Sequence, residues 1–523
     1  MNNQITNTSL LLGGLCLSTT LYAERPNILF ILSDDQGFAE LGAYGDFADP
    51  DILQAKHIEQ LRKITEVSRT EAPVEVAVAA ARRSTPNIDS LAAEGVRFTS
   101  FYAAPTCSPS RAALMTARYP QRYGVYSNDD VEEPLGYGLP VKADILVRHF
   151  QENGYRTGMS GKWHLGSDEG QHPNDVGFEY FFGFDRAFTD PYGSEILYRN
   201  RTNVPAKGWV EDQISDEAVN FLKEIENDPR PFFLYVAYSV PRDSTLRPPE
   251  HYVEAIQSGS EIIDVHFGTI YGMDTGIGRI LDQLKASGQF ENTLIFFATD
   301  NGKAQGPYHH GFRITETQSH LVPIPGNGPL RGCKWTIWDG GVRVPFIARL
   351  PGGAQGATSN ALQSIMDVLP TAFEFAGIEV EETSHWDGES FLATLNDPSQ
   401  SNEDRIIFWA ADALEPYGDF HEEHQQLRQD FIKKRQHNPH PVRSGNFPAT
   451  FYVRTVDWKL MGWGDTRPVL VNIQDDISEL HDVSEQHPEV TRALSAAFAE
   501  WMADLPDPLV FPNSQFDALR RIR

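Results

Sequence analysis

Two stretches far apart in the chain carry the same pattern, and together they restrict the fold more than any other feature. Pro26-Asn27-Ile28-Leu29-Phe30-Ile31-Leu32 is a continuous apolar run that stops at Ser33-Asp34-Asp35, and Thr293-Leu294-Ile295-Phe296-Phe297-Ala298 stops at Thr299-Asp300-Asn301-Gly302. Short runs without polar alternation read as strands buried on both faces, as in parallel sheets covered by helices. Open sheets of that kind bind ligands at the carboxyl ends of their strands. Asp34, Asp35, Asp300 and Asn301 are therefore expected along one edge. Four oxygen donors without histidine or thiolate suit a hard cation, and calcium tolerates a crowded protein cage better than magnesium does.

At 523 residues the chain exceeds one compact core, so two domains of unequal size are expected. Lys plus Arg number 44 against 72 Asp plus Glu, a net charge of −28, which argues against nucleic-acid binding and against a polyanion-coating surface. An anionic substrate then needs positive charge gathered in a pocket. The apolar run 9–21, ending before Ala23, reads as a secretory signal over residues 1–23, although no Lys or Arg precedes it. An exported protein, periplasmic or secreted, is expected. Cys16 follows Leu15, where lipid attachment requires a small residue, and no later stretch has the length and apolarity of a membrane span. Beyond the signal only Cys107 and Cys333 remain, so disulfides are not what holds the molecule together.

Taken in order, residues 46–83 read as a solvated surface insertion, with a helical hairpin or a flap as alternatives. Thr85-Pro86 opens a helix with a cap and a first-turn proline. Cys107-Ser108-Pro109-Ser110-Arg111 then places a cysteine at a helix start, where free N–H groups and the dipole favour an anion and Arg111 adds charge one turn on. Lys162-Trp163-His164, between glycines, puts two cationic or proton-carrying side chains on one side of an extended segment. Phe232 to Tyr238 is a further strand, followed by Pro241-Arg242, and 263–284 is a long amphipathic helix. His309, His310 and His320 lie in the loop before Leu330-Arg331-Gly332-Cys333-Lys334. Beyond residue 378, strand-like runs at 406–410, 451–461 and 469–473 surround a polar insertion at 415–447 and precede a helix at 489–505, a smaller antiparallel sheet with a packed helix.

The Cys107–Arg111 pentapeptide, continued by Ala112-Ala113-Leu114-Met115-Thr116, resembles the signature of the formylglycine-dependent (type I) sulfatases of the alkaline phosphatase superfamily, and the likeness continues in order along nearly the whole chain. It implies a doubly wound α/β domain with a mixed sheet over 24–378 and a C-terminal α+β subdomain over 379–523. It also implies that a formylglycine-generating enzyme oxidises Cys107 to formylglycine (3-oxoalanine), whose hydrate attacks sulfur. Carried over by residue, Asp34, Asp35, Cys107, Asp300 and Asn301 match the calcium ligands. Arg111 supports residue 107, Lys162 and His164 match the active-site pair, and Lys334 matches a second sulfate-contacting lysine.

Two positions depart from the family. Pro241-Arg242 stands where Pro-His is usual, and an arginine does not release its proton to a leaving alcohol. A substitute histidine among His309, His310 and His320 is expected to act, or Arg242 stabilises the leaving oxygen by charge. Ala117 replaces a usual glycine. Export, the two insertions and Arg242, Arg247 and Arg313 point to a sulfated carbohydrate, an algal polysaccharide or its oligosaccharides, contacted by Arg242, His309 and His310. An arylsulfatase, a phosphonate or phosphate ester hydrolase, and an inactive glycan-binding relative are the alternatives. The last would have lost Cys107, the calcium ligands or the lysines, and all are present.

Overall fold

A computed structural model of the chain describes residues 25–47, 73–128, 138–141, 143–187, 189–192, 197–242, 247–304, 326–379, 385–412, 449–463 and 466–506. The expected signal segment, residues 48–72 of the first insertion, the insertion at 415–447, and His309, His310, Arg313 and His320 lie outside the described residues.

The strands are β1 (Asn27–Asp34), β2 (Val96–Phe98), β3 (Phe101–Tyr102), β4 (Arg156–Lys162), β5 (Tyr180–Phe184), β6 (Leu197–Arg199), β7 (Thr202–Val204), β8 (Phe232–Pro241), β9 (Thr293–Thr299), β10 (Phe346–Arg349), β11 (Ala357–Ser359), β12 (Gln363–Ser364), β13 (Ile407–Asp412), β14 (Ala449–Arg454), β15 (Trp458–Trp463) and β16 (Val469–Asn472). Ten of them form one sheet in the order β11-β2-β10-β9-β1-β8-β4-β5-β6-β7. Its centre, β9-β1-β8-β4-β5, is parallel throughout, while β10 runs antiparallel to β9 and makes the sheet mixed.

The missing polar alternation in β1 has a direct cause. Ile28, Phe30 and Leu32 enter one core with Ala112, Ala113 and Leu114 of the Cys107–Thr116 helix. Leu29 and Ile31 enter a second core, on the other face, with Ile263, Phe267 and Ile270 of the Glu261–Ala286 helix. Because four central strands are parallel, their carboxyl ends come out together and deliver Asp34, Lys162, Pro241 and Thr299 to one edge.

The latter part of the expected surface insertion is corrected by the structure. Val74–Ser84 is a helix whose Ala77, Ala80 and Ala81 are buried in the same core as the Glu261–Ala286 helix. Its small apolar residues recur at helical spacing, which suits a helix packed closely on another rather than a solvated segment. The C-terminal run 451–461 is likewise two strands, β14 and β15, joined by a turn in which Thr455 N–H bonds Trp458 C=O at 2.9 Å. Strands β13 to β16 form a separate antiparallel sheet. The Pro488–Ala503 helix packs on it, with Phe498 stacked on Phe451 at 4.1 Å.

Strand β4 approaches its neighbours closely just before Lys162. Gly161 has φ of 120°, and a Cβ there would lie 1.8 Å from the Ala237 carbonyl oxygen of β8. Gly161→Ala is therefore expected to destabilise the protein by about 3 kcal/mol, measured by chemical denaturation. An unchanged midpoint would contradict this packing of β4 on β8.

Candidate active site

The Cys107–Thr116 helix presents its first residue to the edge where β1 and β9 end. Thr106 ahead of it is extended, and Ser110 Oγ accepts the Ala104 N–H at 2.9 Å, which holds the approach to the helix. At the other end Ala117 adopts φ of 50°, the left-handed C-terminal conformation that glycine takes most easily. The residue after Cys107 anchors two neighbouring segments. Ser108 N–H donates to Asn128 Oδ1 at 2.9 Å, and Ser108 Oγ donates to His164 C=O at 3.0 Å.

Around Cys107 the structure gathers three acids and three cations, all buried. Lys162 Nζ donates to Asp34 Oδ2 at 2.8 Å, and Cys107 Sγ lies 3.5 Å from Asp34 Oδ1. Lys334 Nζ donates to both Asp35 oxygens, at 2.7 and 2.9 Å, and lies 3.0 Å from Cys107 Sγ. Arg111 turns away from that contact. Its guanidinium donates to Asp300 Oδ2 at 2.9 and 3.2 Å, to the Lys162 carbonyl at 2.9 Å and to Tyr235 OH at 3.3 Å. It therefore fixes one acid and the segment that carries one lysine.

The electrostatics follow from burial and proximity. Burial opposes ionisation of Asp34, but Lys162, Lys334, Arg111 and Arg242 together hold its carboxyl far below the usual range. Burial and the Asp34 charge push Asp300 up to about 6 despite Arg111. Burial, reinforced by Asp300, raises the Cys107 thiol to about 12 against the pull of Lys162 and Lys334.

The donor set fits a cation. Ligand atoms of Asp34, Asp35, Cys107 and Asp300 all lie within 4.8 Å of one another. Asn301 Nδ2 donates to Asp35 Oδ1 at 2.7 Å, while its buried Oδ1 has no hydrogen-bond partner among the described residues. A buried carbonyl oxygen facing no donor is costly unless a cation takes it.

Asp34, Asp35, Cys107, Arg111, Lys162, Asp300, Asn301 and Lys334 thus meet in one cluster. His164 is buried beside it, but not by strand alternation: its φ is 58°, so the chain has left the extended conformation after Lys162, and its N–H bonds Asp185 C=O at 3.1 Å. Arg242 is half-buried at the end of β8, donates to Ala187 C=O at 3.5 Å, and its charge reaches Asp34 and Lys334. Sequence reasoning missed Tyr235 and Lys303. Tyr235 is a hydroxyl inside an apolar strand, which had to find a partner. Lys303 follows Asn301-Gly302 directly; it is buried, and its Nζ donates to Pro241 C=O at 3.1 Å.

A family model described as Sulfatase matches residues 26–378. The chain belongs to the sulfatase family. This sulfatase is 31% identical over 520 residues to the uncharacterized sulfatase YdeN of Escherichia coli (strain K12), covering 94% of this chain and 88% of that protein. It is 30% identical over 424 residues to N-acetylgalactosamine-6-sulfatase of Canis lupus familiaris, covering 75% and 70%. The solved structure of Ps i-CgsB in complex with k-i-k-neocarrahexaose superposes with a TM-score of 0.71 at 26% identity, over 95% of this chain and 97% of that one. The fold is that of these sulfatases, and the protein is a sulfuric ester hydrolase.

The turn after Asp35 rests on a buried carboxylate–imidazole contact. Glu40 accepts the Gly37 N–H at 2.9 Å and faces His266 Nε2 at 2.8 Å. Burial raises the Glu40 carboxyl, but the Lys303 and His266 charges outweigh it and bring the value from 4.5 to about 2. A value lowered by folding stabilises the native state above pH 4.5, and that stabilisation fades as pH falls towards 2. Glu40→Gln should therefore remove about 3 kcal/mol of the acid-dependent loss of stability over that range, read from denaturation midpoints at several pH values. Parallel pH profiles for the two proteins would count against the pairing.

Proposed function

We propose that this sulfatase removes sulfate from a sulfated carbohydrate, an algal polysaccharide or its oligosaccharides, using a hydrated formylglycine made from Cys107 beside a calcium ion. One observation carries the reading: Cys107 stands at a helix start against Lys334 and Asp34, inside a cage of three acids and one amide oxygen that has no partner among the described residues. A relative named for a sulfated amino sugar and a structural neighbour crystallised with k-i-k-neocarrahexaose support a carbohydrate substrate. A formylglycine-generating enzyme is the partner required for maturation. Export to the periplasm or medium fits such a substrate, and among the described residues no helix is long and apolar enough to cross a membrane.

Asp34, Asp35, Asp300, Asn301 and residue 107 would hold the ion. When present, the ion would supply charge neutralisation, and the aldehyde hydrate would supply two hydroxyls, one to displace the alcohol from sulfur and one to give up its proton so that sulfate leaves and the aldehyde returns. The rest falls to the side chains of this chain. Lys162 and Lys334 are each held on a carboxylate and share their charge with the sulfuryl oxygens. The helix N-terminus favours the same anion. Arg111 positions Asp300 and the Lys162 segment rather than touching substrate. His164 would hold or relay the proton on residue 107. Arg242 keeps its proton, so it acts on the leaving oxygen by charge, with His309, His310 and His320 the candidates for a proton donor. Arg242, His309 and His310 are also the proposed sugar contacts.

The deciding experiment measures inorganic sulfate released from sulfated algal polysaccharides, their oligosaccharides, glycosaminoglycans and an aryl sulfate, with protein matured by the generating enzyme. Release from one carbohydrate class and none from Cys107→Ala is expected, with Arg242→Gln losing more on the charged oligosaccharide than on the aryl sulfate. No release despite an aldehyde detected by mass at residue 107 would overturn the reading. Calcium should raise the melting temperature of the wild-type protein, and Asp300→Asn should abolish most of that rise. Equal shifts in the two proteins would place the ion elsewhere.

A further inference from the structure

Lys334 lies on an irregular segment in which Gly332 and Trp335 both adopt positive φ, 76° and 68°. Nothing in the segment's own secondary structure holds the ammonium against Asp35 and Cys107. Its centre is tied by two backbone bonds, Lys334 N–H to Lys303 C=O at 3.2 Å and Trp335 N–H to Pro105 C=O at 2.8 Å, and its two flanks are both held by one residue of the loop after β16. The Glu479 carbonyl accepts Arg331 Nη1 at 2.8 Å on one side, and Glu479 Oε2 accepts the Asp339 N–H at 2.7 Å on the other. Lys459 of β15 closes the arrangement, donating at 2.7 Å to both Asp339 Oδ1 and Glu479 Oε1. Tyr102 OH donates to Asp339 Oδ2 at 3.0 Å and takes Arg454 Nε at 2.7 Å, and Arg343 Nη1 donates to Asp339 Oδ2 at 3.3 Å. Lys459, Glu479 and Asp339 have no solvent exposure.

Such a cluster is a poor way to join two sheets, because well-packed apolar residues of similar volume would hold them as firmly without the cost of burying charge. Apolar packing is not directional, whereas these bonds set the position of two backbone segments at once. The turn they hold also touches the cation cage: Gly302 N–H bonds Gly341 C=O at 3.0 Å, one residue beyond Asn301.

We infer that Lys459, Glu479 and Asp339 are positioning residues for catalysis, a clamp by which the C-terminal sheet sets the place of Lys334. The inference rests on the proposed role of Lys334 as a sulfate contact. The test is a double-mutant cycle on kcat/KM for sulfate release by matured protein. Lys459→Met and Arg331→Met are each made alone and in a Lys334→Ala background, with melting temperatures recorded. Arg331 is only partly buried, so its substitution keeps the test decisive where Lys459→Met does not fold.

Each clamp variant alone should lose on the order of 100-fold in kcat/KM, the effect of misplacing a catalytic group by about 1 Å. In the Lys334→Ala background the same substitution should cost almost nothing further. Losses that multiply in both backgrounds would mean that the cluster only joins the two sheets. An active wild type with multiplying losses overturns the clamp alone; a wild type that releases no sulfate overturns the role of Lys334 and the clamp with it.

Discussion

Three carboxylates buried side by side at the ends of adjacent strands are the constraint that this structure has to satisfy. Asp34, Asp35 and Asp300 are out of contact with water and within 4.8 Å of one another and of Cys107. Like charges this close, in a medium that screens weakly, repel strongly unless cations stand among them. Lys162, Lys334 and Arg111 each take one acid, and the proposed calcium ion would take what they leave. The pairing also bears on how a chain of net charge −28 can receive an anion: three cations offset the three acids where the strands end, and the proposed calcium ion would leave that edge net positive.

The backbone pays the local cost of this arrangement. Asp35 leaves β1 with φ of 60°, and His164 leaves the segment after β4 with φ of 58°, both non-glycine residues in a conformation that L side chains seldom adopt. Each sits just past the carboxyl end of a parallel strand, where the chain must turn at once to keep its functional group at the edge. Asp35 N–H bonds Asp300 Oδ1 at 3.1 Å, which ties the turn after β1 to the end of β9. Strain of this kind persists only where the surroundings over-determine it.

A good part of the site was legible along the chain. The helix start at Cys107 followed from Pro109 and the small apolar residues after Arg111, and the oxygen cage from two apolar runs that end in acids. Other features were not. The small apolar residues of Val74–Ser84 carry a helical period, but only the presence of the Glu261–Ala286 helix turns that period into burial. The Lys162 and His164 pair was read from strand alternation, while the chain leaves the extended conformation at His164. Tyr235, Lys303 and the Lys459 cluster acquire meaning through partners distant in sequence, which no local pattern encodes.

By itself the sequence determined what depends on neighbouring residues: strands without polar alternation must be buried on both faces, a proline-led segment starts a helix, and acids after such strands come to the sheet edge. The tertiary structure alone decided which charge meets which. Arg111 is directed to Asp300 and Tyr235, and the Lys334 segment is held from β15 and Glu479. The physical reason is range: backbone preferences act over a few residues, whereas the cost of a buried charge is relieved only by whatever partner the fold brings within about 3 Å of it.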